Sequence, residues 1–474
     1  MSAPWMESWN LAVTHGLLLA LLPATALLVA LALARRSRDR DAHKRGAKIL
    51  DGRAAQRRTA RLQLVRREPL LTIAGVGISP GDEVKHFKLI GTTGTGKSTA
   101  IRELLAAALD RGDRAVITDP DGGYLARFHE PGRGDVILSP FDSRSPRWDP
   151  FAEVREPYDA EQLASSLIPS TEDASGREWR GYARTFLTSV VRRCHEIGCR
   201  DAAELWRLIA MAPSTELRPI VAGTPAQPFL EPENARMFGS IRSVAGSAAA
   251  ALEHVQAQRA RTFCVRDWIG CGRGALFLPY KASQIAALRT IIATWVRLAI
   301  FETMCHEGAG CQEGARLERR MWLIVDELDA LGAIDGLKDA LARLRKFEGR
   351  CVLGFQSIAQ VSSTYGGEAQ TIVENCTNTL ILRCSASEHG GTSQFASRLI
   401  GEREVARRST SRGRDGSGFP GGRGWRRSVS CSEQRVTEAA VLASELEQLP
   451  DLSGYLKTAS SPGWLRVRLR PEGA

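Results

Sequence analysis

The sequence predicts an α/β fold: a parallel sheet with helices on both faces, interrupted by an inserted all-helical domain and preceded by an N-terminal transmembrane helix. Three observations predict it. A short strand runs straight into a glycine loop and a helix across residues 86–109. A second strand, the apolar run 321–325, ends on two carboxylates. Between them, from 150 to about 259, strand signals are scarce and helical ones dense.

Taken in order, residues 1–10 are a short external N-terminus with one charge, a negative one. Residues 11–34 are apolar apart from Thr14, His15, Gly16, Pro23 and Thr25, and about 20 helical residues cross a hydrocarbon core. Arg35, Arg36, Arg38 and Arg40 come immediately after. A cleaved signal would carry its positive charge first, so the pattern favours an uncleaved single-pass anchor with the N-terminus outside and the bulk cytoplasmic. Cleavage after Ala32 or Ala34 is the competing outcome. Residues 35–68 read as a basic juxtamembrane linker, partly helical, either resting on anionic lipid or merely solvated.

Residues 69–150 read as the first part of the core, with strands at 71–78, 86–90 and 114–118 and a helix at 100–109. The run at 114–118 is of the buried type found when both sheet faces are covered. Residues 151–260 read as the inserted all-α domain, with helices at 159–168, 178–197, 202–211 and 233–257 and loops such as 212–228. The core returns over 261–474, with strands at 275–279, 321–325, 351–355 and 380–383. Residues 407–427, poor in apolar side chains and rich in Arg and Gly, read as a flexible basic loop. Trp464, Leu465, Val467 and Leu469 alternate with arginines as a final edge strand.

The chain has 474 residues, and 64 Lys plus Arg against 53 Asp plus Glu give a formal charge of +11. That excess favours polyanionic partners without fixing a function. Ten cysteines are scattered singly; the nearest pairs, Cys194 with Cys199 and Cys264 with Cys271, lack complementary partners, so zinc and iron–sulfur sites are excluded and reduced thiols expected.

The chemistry concentrates at strand ends. Gly91, Thr92, Thr93, Gly94, Thr95, Gly96, Lys97 and Ser98, followed by Thr99, match the phosphate-binding pattern in full, with a strand before and a helix after. Glycines let successive N–H groups face phosphates, and the helix adds its dipole. Lys97, expected to lie exposed in a crevice, would stand beside the β and γ phosphates of ATP, and Ser98 would offer its hydroxyl to Mg²⁺. At the end of 321–325, Asp326 would hold the metal through water and Glu327 would act as base. Gln356 would bond both the attacking water and the γ-phosphate. Asp119 and Asp121 either line the same crevice or form a plain turn. Arg343, Arg345, Lys346 and Arg350 cluster at a predicted helix end, where one could reach a neighbouring subunit.

With these residues in place, the chain resembles the conjugative coupling proteins of type IV secretion systems, the VirD4, TraD and TrwB group, over roughly 71–469. The resemblance rests on residues 86–98, 119–122, 325–328 and 354–357. It implies a RecA-like P-loop NTPase core in a homo-hexamer at the cytoplasmic face of the bacterial inner membrane. Such a motor joins relaxase-bound DNA to the secretion channel and moves DNA by hydrolysing ATP. It implies Lys97 and Ser98 as the phosphate-loop pair, Asp326 and Glu327 as the acidic pair, Gln356 as the sensing glutamine and Arg345 as the trans-acting arginine. Many members have two membrane helices where this chain is predicted to have one, and the chain is expected to lack the long acidic C-terminal tail that some relatives use. The resemblance leaves open a related motor that recruits or moves protein substrates.

Overall fold

The structure, a computed structural model, describes residues 42–65, 68–170, 173–199, 201–305, 320–387, 390–415 and 426–471. The predicted span at 11–34 and the external residues before it lie outside that set. Among the described residues no helix is long and apolar enough to cross a membrane.

The chain divides into two compact units. The larger, Ile49–Leu399 with Leu442–Ala474, is built on a ten-stranded sheet. In chain order its strands are β1 (Ile49–Asp51), β2 (Phe87–Ile90), β3 (Arg114–Pro120), β4 (Val136–Ile137), β5 (Ala275–Tyr280), β6 (Met321–Val325), β7 (Gly349–Phe355), β8 (Asn378–Ile381), β9 (Ser453–Lys457) and β10 (Trp464–Arg468). Across the sheet they lie as β1-β10-β9-β8-β2-β7-β6-β3-β5-β4, and every one except β9 runs the same way. The order matters because β2, β7, β6 and β3 are neighbours, so four loops far apart in sequence open at one end of the sheet.

The central strands are buried almost throughout because helices cover them. On one face α1 (Gly52–Val65) and α2 (Lys97–Asp110) set Ala55, Ala100, Ile101, Leu104, Leu105 and Leu109 against Phe87, Leu89, Ile117, Trp322 and Ile324. Each large apolar side chain buried this way contributes roughly 1.5–3 kcal/mol. The short helix α3 (Gly123–Phe128) comes after β3.

After β4, Arg147–Trp148 pairs in parallel with Thr262–Phe263, and the described chain between these two connecting strands contains helices and turns only. They are α4 (Asp159–Leu167), α5 (Ala174–Glu196), α6 (Ala202–Ala210), α7 (Ser214–Val221), α8 (Ala235–Ala249) and α9 (Ala251–Gln256). The buried Glu153 carboxylate clamps the junction: it accepts from Trp148 Nε1 at 2.8 Å and from the first N–H groups of α10 (Val265–Cys271), Val265 at 2.7 Å and Arg266 at 3.1 Å. Returning to the sheet, α11 (Ile285–Thr303) buries residues on nearly every side, as a helix enclosed by protein must. Between β6 and β7 lies α12 (Leu337–Leu344).

Five expectations need correction. Ile49–Asp51 belongs to the large sheet, so the basic segment 35–68 is not all linker, and β1 lies beside β10, which is therefore not an edge strand. The 212–228 loop contains α7, where Leu217 and Val221, one turn apart, bury a common face despite Pro219. The described residues of the expected flexible loop, 407–415 and 426–427, are strand: Glu402–Asp415 pairs with Arg426–Ala439. A ribbon whose ladder bonds are backbone bonds needs little apolar content, so composition is a poor guide there. Finally, Cys271 is disulfide-bonded, while eight other cysteines carry free thiols.

The smaller unit, Met1–Lys48 with Ile400–Val441, contains that ribbon with Ala42–Gly46 antiparallel to its first strand.

His86, at the start of β2, is 2% exposed. Its ring bonds the Leu341 carbonyl through Nε2 at 2.9 Å and accepts the Cys351 N–H at Nδ1 at 3.1 Å, a pattern that fits the neutral ring. Burial holds its pKa down at about 4; the Leu341 carbonyl opposes the shift and nearby Arg350 adds to it. Because the folded value lies below the ordinary 6.5, stability is intact above pH 6.5 and is lost as pH falls toward 4, by about 3 kcal/mol at the end of that window. Urea titrations at several pH values should show this loss in the wild type and not in His86→Gln, which keeps a donor and an acceptor without a proton to gain.

Candidate functional site

The phosphate loop continues directly from β2. Gly94 and Gly96 have φ of 75° and 115°, which L side chains rarely adopt, and a Cβ on Gly96 would stand 2.9 Å from both Leu452 and Leu469. The turn therefore needs glycine for conformation and for space. Thr95 Oγ1 donates to the Thr92 carbonyl at 2.7 Å and tightens the loop.

Lys97 is not exposed in a crevice as expected. It is 6% exposed, and its ammonium donates to the carbonyls of Gly91 at 2.6 Å and Thr92 at 3.2 Å, because it opens a helix whose first turn is enclosed by the loop. Burial lowers its pKa, while Asp326, Glu327 and Asp329 pull it back up. Thr99 lines a cavity of about 1250 Å³ shared with Arg53, Arg102, Arg127 and Arg468.

The acidic pair stands close by. Ser98 Oγ donates to Asp326 Oδ2 at 2.8 Å, so phosphate loop and acidic strand meet through the pair predicted to share the metal. Among the described residues Asp326 Oδ1 is buried with no hydrogen-bond partner. Gly354 of β7 makes room for it: a Cβ there would come within 2.7 Å of that oxygen. Glu327 has φ of 66°, a left-handed conformation costing a non-glycine residue on the order of 1 kcal/mol, and this turn aims its carboxylate at β7. Gln356 Nε2 donates to Glu327 Oε1 at 3.2 Å, and Thr93 Oγ1 donates to Gln356 Oε1 at 2.9 Å. Loop, glutamine and glutamate thus form one chain of bonds. Burial, with Asp326 and Asp329 beside it, raises the Glu327 pKa.

Asp119 does not line the crevice. Its two oxygens accept the N–H groups of Tyr124 at 3.0 Å and Leu125 at 2.7 Å, so it caps α3. Burial raises its pKa, against those two bonds. The residue that reaches the site from this loop is Tyr124, whose hydroxyl donates to Asp326 Oδ2 at 2.7 Å. Sequence reasoning misses Tyr124 and includes Gly354 only within the 354–357 stretch that carries the resemblance, without a role. Gly354 carries a signal, standing two residues before Gln356; Tyr124 carries none, since only strand adjacency brings β3 to β6.

Arg345 lies in a short 3₁₀ turn, Arg345–Phe347, between α12 and β7 and is exposed. Gln356 leaves the opposite end of β7, so Arg345 stands about 20 Å along the sheet from its own phosphate loop at the usual rise per residue. Arg343 and Lys346 are exposed too. Arg350 is 3% exposed and paired with Glu83 at 3.1 Å and Glu348 at 3.0 Å, so it serves the fold.

The donor set fits a divalent cation brought in with phosphates: the Ser98 hydroxyl and the Asp326 carboxylate, whose Oδ1 is the unpartnered oxygen. Among the described residues no cluster of three His, Cys, Asp or Glu could hold a metal alone, in keeping with Mg²⁺, which binds one or two carboxylates plus substrate oxygens.

Comparison with known proteins agrees. The family model for the type IV secretion-system coupling protein DNA-binding domain matches residues 70–470. The coupling protein TraD of Escherichia coli (strain K12) is 30% identical over 397 residues, 81% of this chain and 52% of TraD, so the chain spans about half the length of that relative. The bacterial conjugative coupling protein TrwBdeltaN70, unbound, superposes with a TM-score of 0.77 at 31% identity, covering 90% of this chain and 93% of that one. TrwB in complex with ADP and Mg²⁺ gives 0.76 at 30% identity, covering 91% and 95%. The chain belongs to the type IV secretion-system coupling protein family.

Proposed function

We propose that this chain is a membrane-anchored ATPase with a RecA-like core that assembles as a hexamer, couples relaxase-bound DNA to a type IV secretion channel and translocates that DNA. The observation that carries the reading is the continuous bonding of phosphate loop, acidic pair and glutamine: Ser98 to Asp326, and Thr93 through Gln356 to Glu327. A merely structural P-loop would not need a base and a polar sensor beside it. TrwB has been captured with the non-hydrolysable analogue ADPNP and with ADP and Mg²⁺, and the family model is that of a DNA-binding domain; both support the same substrates here. In the same reading the span at 11–34 anchors the chain once in the inner membrane, N-terminus outside.

The residues divide the chemistry. The loop N–H groups and Lys97 hold the phosphates, the ammonium trading its carbonyl partners for phosphate oxygens. Ser98 and Asp326 would hold Mg²⁺, which offsets charge building up between the β and γ phosphates. Gln356 orients the attacking water, and Glu327 accepts its proton. Since Gln356 also holds Thr93, loss of the γ-phosphate is transmitted to the loop and to the element after β7. The test is hydrolysis by purified full chain with and without DNA. Stimulation by single- or double-stranded DNA is expected; a rate that responds only to a partner protein would replace DNA by protein as the moved polymer.

A further inference from the structure

We propose that Tyr124 positions the Asp326 carboxylate for the divalent cation of the nucleotide site, an inference that rests on the ATPase reading. The phenol is 2% exposed, and Oη donates to the same Asp326 oxygen, Oδ2, that accepts the Ser98 hydroxyl. Two donors on one oxygen fix the rotation of the carboxylate. With Oδ2 so held, Oδ1 is left without a partner against Gly354, and Ser98, having committed its proton to Asp326, keeps its oxygen lone pairs for a cation.

A buried tyrosine normally finds some acceptor, so the bond alone is a weak argument. The stronger one is how firmly the phenol is aimed. Asp119 accepts the N–H groups of both Tyr124 and Leu125. Gly122 turns the chain with φ of 74° just before the helix begins. Arg102, one turn beyond Ser98 on α2, stands over the ring at 5.6 Å. Backbone, ring and hydroxyl are each tied to a different part of the site: β3, the phosphate-loop helix and the acidic strand.

Tyr124→Phe keeps the ring, the Arg102 contact and the backbone bonds and removes only the donor. Partners that orient a metal ligand typically contribute 10- to 100-fold in affinity. The measurement is an electron paramagnetic resonance titration of Mn²⁺ into the full chain with ADP. Tyr124→Phe should weaken Mn²⁺ about tenfold, with ADP affinity in EDTA and the melting temperature unchanged. In an Asp326→Asn background the same substitution should have no further effect, because Tyr124 acts through that carboxylate. Unchanged or tighter Mn²⁺ binding in Tyr124→Phe overturns the proposal, and so does an equal loss in the Asp326→Asn background, which would mark a general structural effect. A wild-type chain that binds no Mn²⁺ with ADP would overturn the ATPase reading itself, and the positioning role with it.

Discussion

Glu327→Gln will bind ATP with Mg²⁺ and fail to turn it over, with hydrolysis reduced by about 10²–10⁴, the usual contribution of a positioned base. The amide is nearly isosteric, and one of its two polar ends can still meet Gln356, so the site should keep its shape while losing the proton acceptor. The electrostatics make the test sharper. Burial, Asp326 and Asp329 raise the Glu327 pKa above 4.5, against Lys97 and Gln356. A base shifted this way is lost at higher pH than an ordinary glutamate. The wild-type rate should therefore fall with decreasing pH through that raised value, and the residual rate of Glu327→Gln should lack this limb. Lys97→Ala separates binding from chemistry: it should lose affinity for nucleotide as well as rate. Because Lys97 is buried against two loop carbonyls, its fold must be checked by circular dichroism. Fast hydrolysis by Glu327→Gln would mean that another group takes the proton.

The elements of this site are legible in sequence to different degrees, for a physical reason. Residues 91–98 can be read locally because the loop's conformation, donors and helix dipole all come from one contiguous stretch. The acidic pair can be read because a run such as Met321–Val325 has nowhere to go but the middle of a covered sheet, which puts Asp326 and Glu327 at that sheet's end. The bonds that join these pieces depend on β7 lying between β2 and β6 and on β3 lying beyond β6. No periodicity encodes that order. The same gap hides β1, whose three residues are too short to show a pattern, and the ribbon of Glu402–Asp415 with Arg426–Ala439, which backbone pairing holds together. Charge alone suggests exposure for Lys97, whereas an ammonium can be buried once carbonyls surround it.

Arg345→Ala will leave nucleotide binding by the single chain intact and cut DNA-stimulated turnover, by up to the roughly 10³–10⁵ that such arginines contribute in GTPases. The motivation is twofold. The resemblance to coupling proteins implies a trans-acting arginine at this position. The fold removes the alternative of action in cis, because Arg345 precedes β7 and the phosphate loop lies at that strand's far end. Among its basic neighbours Arg350 is spent on Glu83, which leaves Arg343 and Lys346 exposed beside it. The decisive measurement mixes two inactive proteins. Lys97→Ala subunits carry an intact Arg345, and Arg345→Ala subunits carry an intact phosphate loop, so an interface of the right polarity brings one working arginine to one working loop. Activity of the mixture above either parent alone is expected, and it should be lost when the Lys97→Ala subunits also carry Arg345→Ala. Near-normal turnover by Arg345→Ala alone would remove this residue from the mechanism and transfer the role to Arg343, the remaining exposed guanidinium of the same helix end.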